Sequence, residues 1–153
     1  MKNTFLLPAL IIIISCSDPK ETNNSLQSTV IGKSINIELR SAEGINLLGS
    51  DEFPLSEISA TYLVNGKIVK SNSPNDYPNN VLFYNKNQGV QLFLNDSSTE
   101  EFPITYIKWN KTEIDTIKAQ YKRTNNSITL DKLWIFENNN WKEIISKPVT
   151  IIK

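Results

Sequence analysis

The sequence has no histidine, one cysteine, one methionine and five glycines in 153 residues, and its 16 basic side chains are matched by 16 acidic ones. The missing imidazole excludes Ser-His and Cys-His nucleophilic machinery, mixed His/Cys zinc sites and the usual general base near neutral pH. A single cysteine excludes an internal disulfide and any CxxC metal knuckle. Zero net charge without a basic tract argues against nucleic acid as a partner, because that affinity rests on neutralising phosphates with Lys and Arg. Calcium loops alternate oxygen ligands around a glycine, as in DxDxDG, and no such run occurs here. One domain is the expected count at this length. The chain is therefore expected not to be an enzyme and to need no cofactor or metal.

Near the start, Lys2 precedes an apolar run from Phe5 to Ile14 that Pro8 interrupts and that Ser15 and Cys16 close. That run is about half the roughly twenty residues a membrane-spanning helix needs, so it reads as an export signal. The segment Ile13-Ile14-Ser15-Cys16 resembles the lipobox of bacterial lipoproteins, where a signal peptidase cuts before a cysteine that already carries diacylglycerol. The resemblance implies a lipoprotein signal peptide over residues 1–15, lipidation at Cys16 and attachment to a membrane through acyl chains. Each buried methylene contributes about 0.8 kcal/mol, so two or three chains hold firmly where one holds only marginally. The thioether consumes the thiol, which makes Cys16 an anchor and not a nucleophile.

Residues 16–29 are polar and too poor in apolar side chains to pack, which predicts a flexible tether behind the lipidated cysteine. Ser17 stands where an Asp favours inner-membrane retention in enterobacterial lipoproteins, so the lipoprotein resemblance implies the outer membrane. The acid-and-lysine mixture of Ser17 to Glu21 is similar to the surface-export signals of Bacteroidetes lipoproteins. Cell surface and periplasmic face both remain open.

From Val30 onward the apolar residues recur with period two and the turn signals come at short intervals, which predicts an all-β domain over residues 30–153. Ile35, Ile37 and Leu39 alternate with polar residues in a first strand near Val30 to Arg40. Gly44, Gly49 and Pro54 break the following stretch into a loop or single helical turn that carries Ile45, Leu47 and Leu48 inward. Asn65-Gly66 predicts a type I′ hairpin pairing Leu63 with Ile68 and Tyr62 with Val69. Pro74 and Pro78 place a loop over Ser71 to Asn80. A second hairpin is expected to close at Lys86-Asn87-Gln88-Gly89, with Phe83 opposite Leu92. A meander follows, with Tyr106 opposite Ile117, Trp109 opposite Ile114, a turn at Asn125-Asn126 setting Tyr121 against Leu130, and a turn at Asn138-Asn139 bringing Phe136 to Trp141. Val149 to Ile152 forms the last strand, entered through Pro148. Eight to ten short antiparallel strands of this kind predict a single β-sandwich, immunoglobulin-like or similar.

The lipobox, taken with Thr105-Tyr106-Ile107-Lys108-Trp109-Asn110, Asp115-Thr116-Ile117-Lys118 and Lys132-Leu133-Trp134, resembles the small β-rich lipoproteins of Bacteroidetes. That resemblance implies location and fold, and no catalytic residue comes with it.

Trp109, Trp134 and Trp141 with Tyr106 and Tyr121 could stack on sugar rings, but each lies in a strand opposite an apolar partner, so packing is the main expectation. Trp141 is the expected exception and the candidate ligand contact, because it sits beside a turn at a sheet end. Asp51-Glu52, Glu100-Glu101, Asp115 and Asp131 offer carboxylates for glycosidase chemistry, yet no spacing joins them into an acid and base pair. Asp115-Thr116-Ile117 fits the short pattern at which Bacteroidetes attach O-glycans, as well as plain strand alternation. Lys67, Lys70, Lys118, Lys122 and Arg123 read as outward and edge charges. The functional expectation is an exported, lipid-anchored envelope protein with a non-catalytic binding role for a glycan, a peptide or a partner outer-membrane protein. The alternative is a structural or assembly subunit facing the periplasm from the outer membrane.

Overall fold

The computed structural model describes residues 30–70, 77 and 79–153. The expected signal peptide, Cys16 and tether lie outside these residues, as does most of the loop expected over Ser71 to Asn80. The strands are β1 (Val30–Gly32), β2 (Ser34–Arg40), β3 (Ser59–Val64), β4 (Lys67–Val69), β5 (Val81–Tyr84), β6 (Gly89–Phe93), β7 (Ile104–Lys108), β8 (Ile114–Thr124), β9 (Ser127–Glu137), β10 (Asn140–Glu143) and β11 (Val149–Ile152). One sheet runs β1-β9-β8-β7-β3-β4, with β10 also hydrogen-bonded to β9, and the other runs β11-β2-β6-β5. Packed face to face, they form the all-β sandwich that the period-two pattern predicts.

Two pairings are parallel, β1 with β9 and β11 with β2. The run Val30 to Arg40 is also two strands, because the chain leaves one sheet at Lys33 and enters the other. Parallel partners are far apart in sequence and are joined by no tight turn, so neither feature leaves a local signal.

The turn chemistry sets most registers. Asn65 and Gly66 take φ of 50° and 72°, the type I′ geometry, and Leu63 faces Ile68 while Tyr62 faces Val69 as predicted. Asn138 and Asn139 likewise have φ of 49° and 61° and bring Trp141 opposite Phe136. The Asn125-Asn126 turn pairs Tyr121 with Leu130. Two registers differ from expectation. Phe83 pairs with Val90, not Leu92, because Asn85, Lys86 and Asn87 all adopt left-handed φ and Tyr84 already pairs with Gly89. A Cβ on Gly89 would lie 2.3 Å from Tyr84 Cζ, so any larger residue would have to push that ring aside. Across β7 and β8, Tyr106 faces Thr116 and Lys108 faces Ile114, one residue from the predicted alignment. Here the Asn110 side chain accepts the Thr112 and Glu113 amides, and the Trp109 amide donates to the Glu113 carbonyl, so Trp109 belongs to the turn and not to the ladder.

The core alternates as a half-buried sheet should. Ile35, Ile37, Leu39, Val90 and Leu92 from one sheet meet Ile107, Ile117, Ala119, Leu133 and Ile135 from the other. Loops add Leu48, Phe53 and Trp109, whereas Ile45, expected inward, is 64% exposed. Its amide donates to the Ser41 hydroxyl and its carbonyl accepts the Ser41 amide, which holds the tight bend with the side chain turned out. The pairings also define two ends. Val30 enters beside the Asn125-Asn126 turn, and the 110–113, 138–139 and 85–88 turns collect at the opposite end with Lys153.

Candidate functional site

Because Ile117, Leu133 and Ile135 point into the core, strand alternation turns Lys118, Trp134 and Phe136 to the outer face of the larger sheet. Register then sets Lys118 beside Trp134 and Phe136 beside Trp141. Phe136 and Trp141 lie with ring centroids 5.1 Å apart and planes tilted by 58°. Phe102, on the segment entering β7, meets Trp134 edge-on at 6.0 Å. The Lys118 ammonium sits over three of these rings, at 4.4 Å from Trp141, 4.9 Å from Trp134 and 5.5 Å from Phe102. Such contacts contribute about 0.5–1 kcal/mol each when exposed and more when desolvated.

This patch stays open to solvent. Phe102, Phe136 and Trp141 are 40%, 42% and 37% exposed. A cation held by ring faces keeps its N–H donors, and among the described residues Lys118 makes no ion pair. The other cations of the same strand are engaged. Lys122 pairs with Asp131 at 2.7 Å, and the Arg123 guanidinium donates to the Asp96 and Ser97 carbonyls.

The remaining sequence candidates have structural occupations. Trp109 is fully buried and its indole N–H donates to Asp115 Oδ2 at 2.6 Å. Asp115 Oδ1 in turn meets Lys153 Nζ at 2.9 Å, and Glu113 meets the same ammonium at 3.0 Å. Burial works against the charge of Lys153, but its bonds to Asp115 and Glu113 outweigh that cost and hold its pKa above the ordinary 10.5. Thr116 lies mid-strand in β8 opposite Tyr106, half-buried, on the outer face. Glu100 accepts the Asn65 amide at 3.0 Å. Asp51 and Glu52 line a shallow groove of about 220 Å³ with Glu57, Asn110 and Lys111, and none of the other sequence carboxylate candidates lines it. The carboxylates are thus spread over both ends of the sandwich, and among the described residues no three His, Cys, Asp or Glu side chains gather into a metal site.

A second polar cluster lies at the end where Val30 enters. Lys33 pairs with Asp96 at 3.2 Å, and Tyr62 donates its hydroxyl to the Phe93 carbonyl at 3.0 Å. Burial, then the nearby Asp96 carboxylate, pushes the Tyr62 and Tyr121 phenols well above their usual range, so both stay neutral. Asn95 and Thr105 are almost wholly buried here. The Asn95 amide nitrogen donates to Thr105 Oγ1 at 2.8 Å and its side chain donates to the Leu63 carbonyl at 2.8 Å.

The structure therefore brings Trp134 and Trp141 of the sequence candidates to one surface, adds Phe102, Phe136 and Lys118, and removes Trp109 to the core. Period-two alternation read outward from Ile117 and Ile135 carries the signal for Lys118, Trp134 and Phe136. Phe102 has none, because it precedes its strand. No protein-family model, curated protein sequence or solved structure matches the chain. Among the described residues no helix is long and apolar enough to cross a membrane.

Proposed function

We propose that this chain is an exported lipoprotein, anchored to the outer membrane through Cys16, whose sandwich binds a glycan on the outer face of its larger sheet without catalysing a reaction. The observation that carries the reading is the uncovered aromatic patch of Phe102, Trp134, Phe136 and Trp141 gathered around Lys118. Aromatic rings combine an apolar face with little conformational entropy to lose, which suits them to the C–H faces of sugars. The lipobox sequence and the polar residues 17–29 support the anchor and tether. The absence of an imidazole and the structural engagement of Asp115, Asp131 and Glu100 support a non-catalytic role.

Two experiments test this. Replacing Cys16 with Ser is expected to give an unprocessed or soluble species on membrane fractionation; firm attachment of that variant would refute the anchor. Tryptophan emission of the detergent-extracted protein is expected to shift on titration with a binding glycan, and Trp141→Ala is expected to abolish the shift. Co-purification with an outer-membrane protein, with no response to any glycan, would replace the glycan reading with the assembly role.

A further inference from the structure

Resting on that reading, we infer that the patch selects an acidic saccharide, one bearing carboxylate or sulfate groups, and that Lys118 is the residue that selects it. Lys33, Lys122, Lys142 and Lys153 each pair with a carboxylate here. Lys118 instead lies over the rings of Trp141, Trp134 and Phe102, which hold the cation in place by their quadrupoles while accepting none of its three N–H bonds. Held this way, the side chain loses less conformational freedom when an anion binds, and its donors stay available to a ligand.

Further cations share the outer face with Lys118, although an acid lies beside the rings too. Alternation from Ile107 and Leu133 puts Lys108 and Lys132 on this face as well, and among the described residues neither forms an ion pair. The acid that register sets beside the rings is Glu143, opposite Trp134. A neutral sugar can offer these cations only uncharged oxygen acceptors. An acidic sugar can lay its C–H face on Trp141 or Trp134 while its anionic group takes a charge-assisted bond from Lys118. An anionic lipid surface has complementary charge too, but it would also need apolar side chains that reach past the lysines, and the exposed rings here lean on one another around the cation.

The test uses the full-length lipoprotein in detergent against immobilised dextran, polygalacturonate and dextran sulfate, with phosphatidylglycerol vesicles as a fourth surface. Salt-sensitive binding to polygalacturonate or dextran sulfate, at least about tenfold tighter than to dextran, is the expected result, and the preferred polymer identifies the anionic group. Lys118→Gln is expected to erase that preference, and Lys118→Arg to keep most of it. Trp141→Ala should weaken all polysaccharide binding. Equal affinity for dextran and the charged polymers, unchanged in Lys118→Gln, would overturn the selectivity while leaving glycan binding in place. Failure to bind any polysaccharide would overturn both, and binding confined to vesicles would assign the face to lipid instead.

Discussion

Replacing Trp109 with Phe isolates a bond that couples the core to the turn end of the sandwich. The indole is fully buried, and its N–H donates at 2.6 Å to an Asp115 carboxylate that also receives Lys153. Hydrogen bonds to charged groups contribute about 1.5–3 kcal/mol, and the lower end applies because Asp115 keeps its ammonium partner. Exchanging indole for phenyl leaves a gap on the order of 40 Å³, which at about 24 cal/mol per Å³ adds roughly 1 kcal/mol. The sum is about 2.5 kcal/mol. A domain of this size loses about 4 °C in Tm for each kcal/mol, so thermal unfolding followed by circular dichroism is expected about 10 °C lower. The matched control is Trp141→Phe, where the ring is 37% exposed and only a cation contact weakens, for a shift of no more than about 4 °C. A Trp109→Phe shift no larger than that of the control would refute the account of Asp115 as a partly buried, charge-bearing partner.

Other expectations follow from the same accounting. Thr105→Val leaves the buried Asn95 amide without an acceptor and is expected to cost about 1–3 kcal/mol in urea unfolding, with Thr105→Ser close to wild type. Gly66→Ala forces a side chain into φ of 72° and should cost about 1–2 kcal/mol by the same assay. In alkali the fold is expected to lose stability. The pKa of Lys153 is raised by folding, so its contribution is complete below the ordinary 10.5 and is lost as pH rises through the folded value. Tyr62 and Tyr121 act in the same direction, since burial holds their neutral forms. Denaturation midpoints that stay level from pH 8 to about 11, with Lys153→Met titrating like wild type, would contradict this.

Much of this architecture was legible because asparagine carries local geometric information. At Asn65-Gly66 and Asn138-Asn139 both central residues need left-handed φ, and these two turns fix hairpins to the residue. Where the left-handed stretch lengthens, as from Asn85 to Asn87, the sequence does not say where the ladder resumes, and the register moved by two. Where an Asn side chain closes the turn, as at Asn110, it moved by one, and that matters more because a one-residue slip exchanges the faces. Buried Asn80 and Asn95 were hidden by the general abundance of asparagine, although each bonds a strand carbonyl from inside the sandwich. For the site, Trp141 could be picked from its place beside a turn. The ring of aromatics around Lys118 could not, because it joins the segment before β7 to three later strands, a convergence that exists only once the sheet has formed.

The passage of Val30 to Arg40 from one sheet to the other has a mechanical consequence. A load applied at Val30 along the axis of β1 pulls the three parallel rungs to β9 in shear, so they must yield together and do not unzip one at a time. Behind them the same covalent run continues into β2, which lies between β6 and β11 in the opposite layer. Tension at this entry point therefore draws on the hydrogen bonds of both layers, and the sandwich resists being peeled open from the end where the chain comes in.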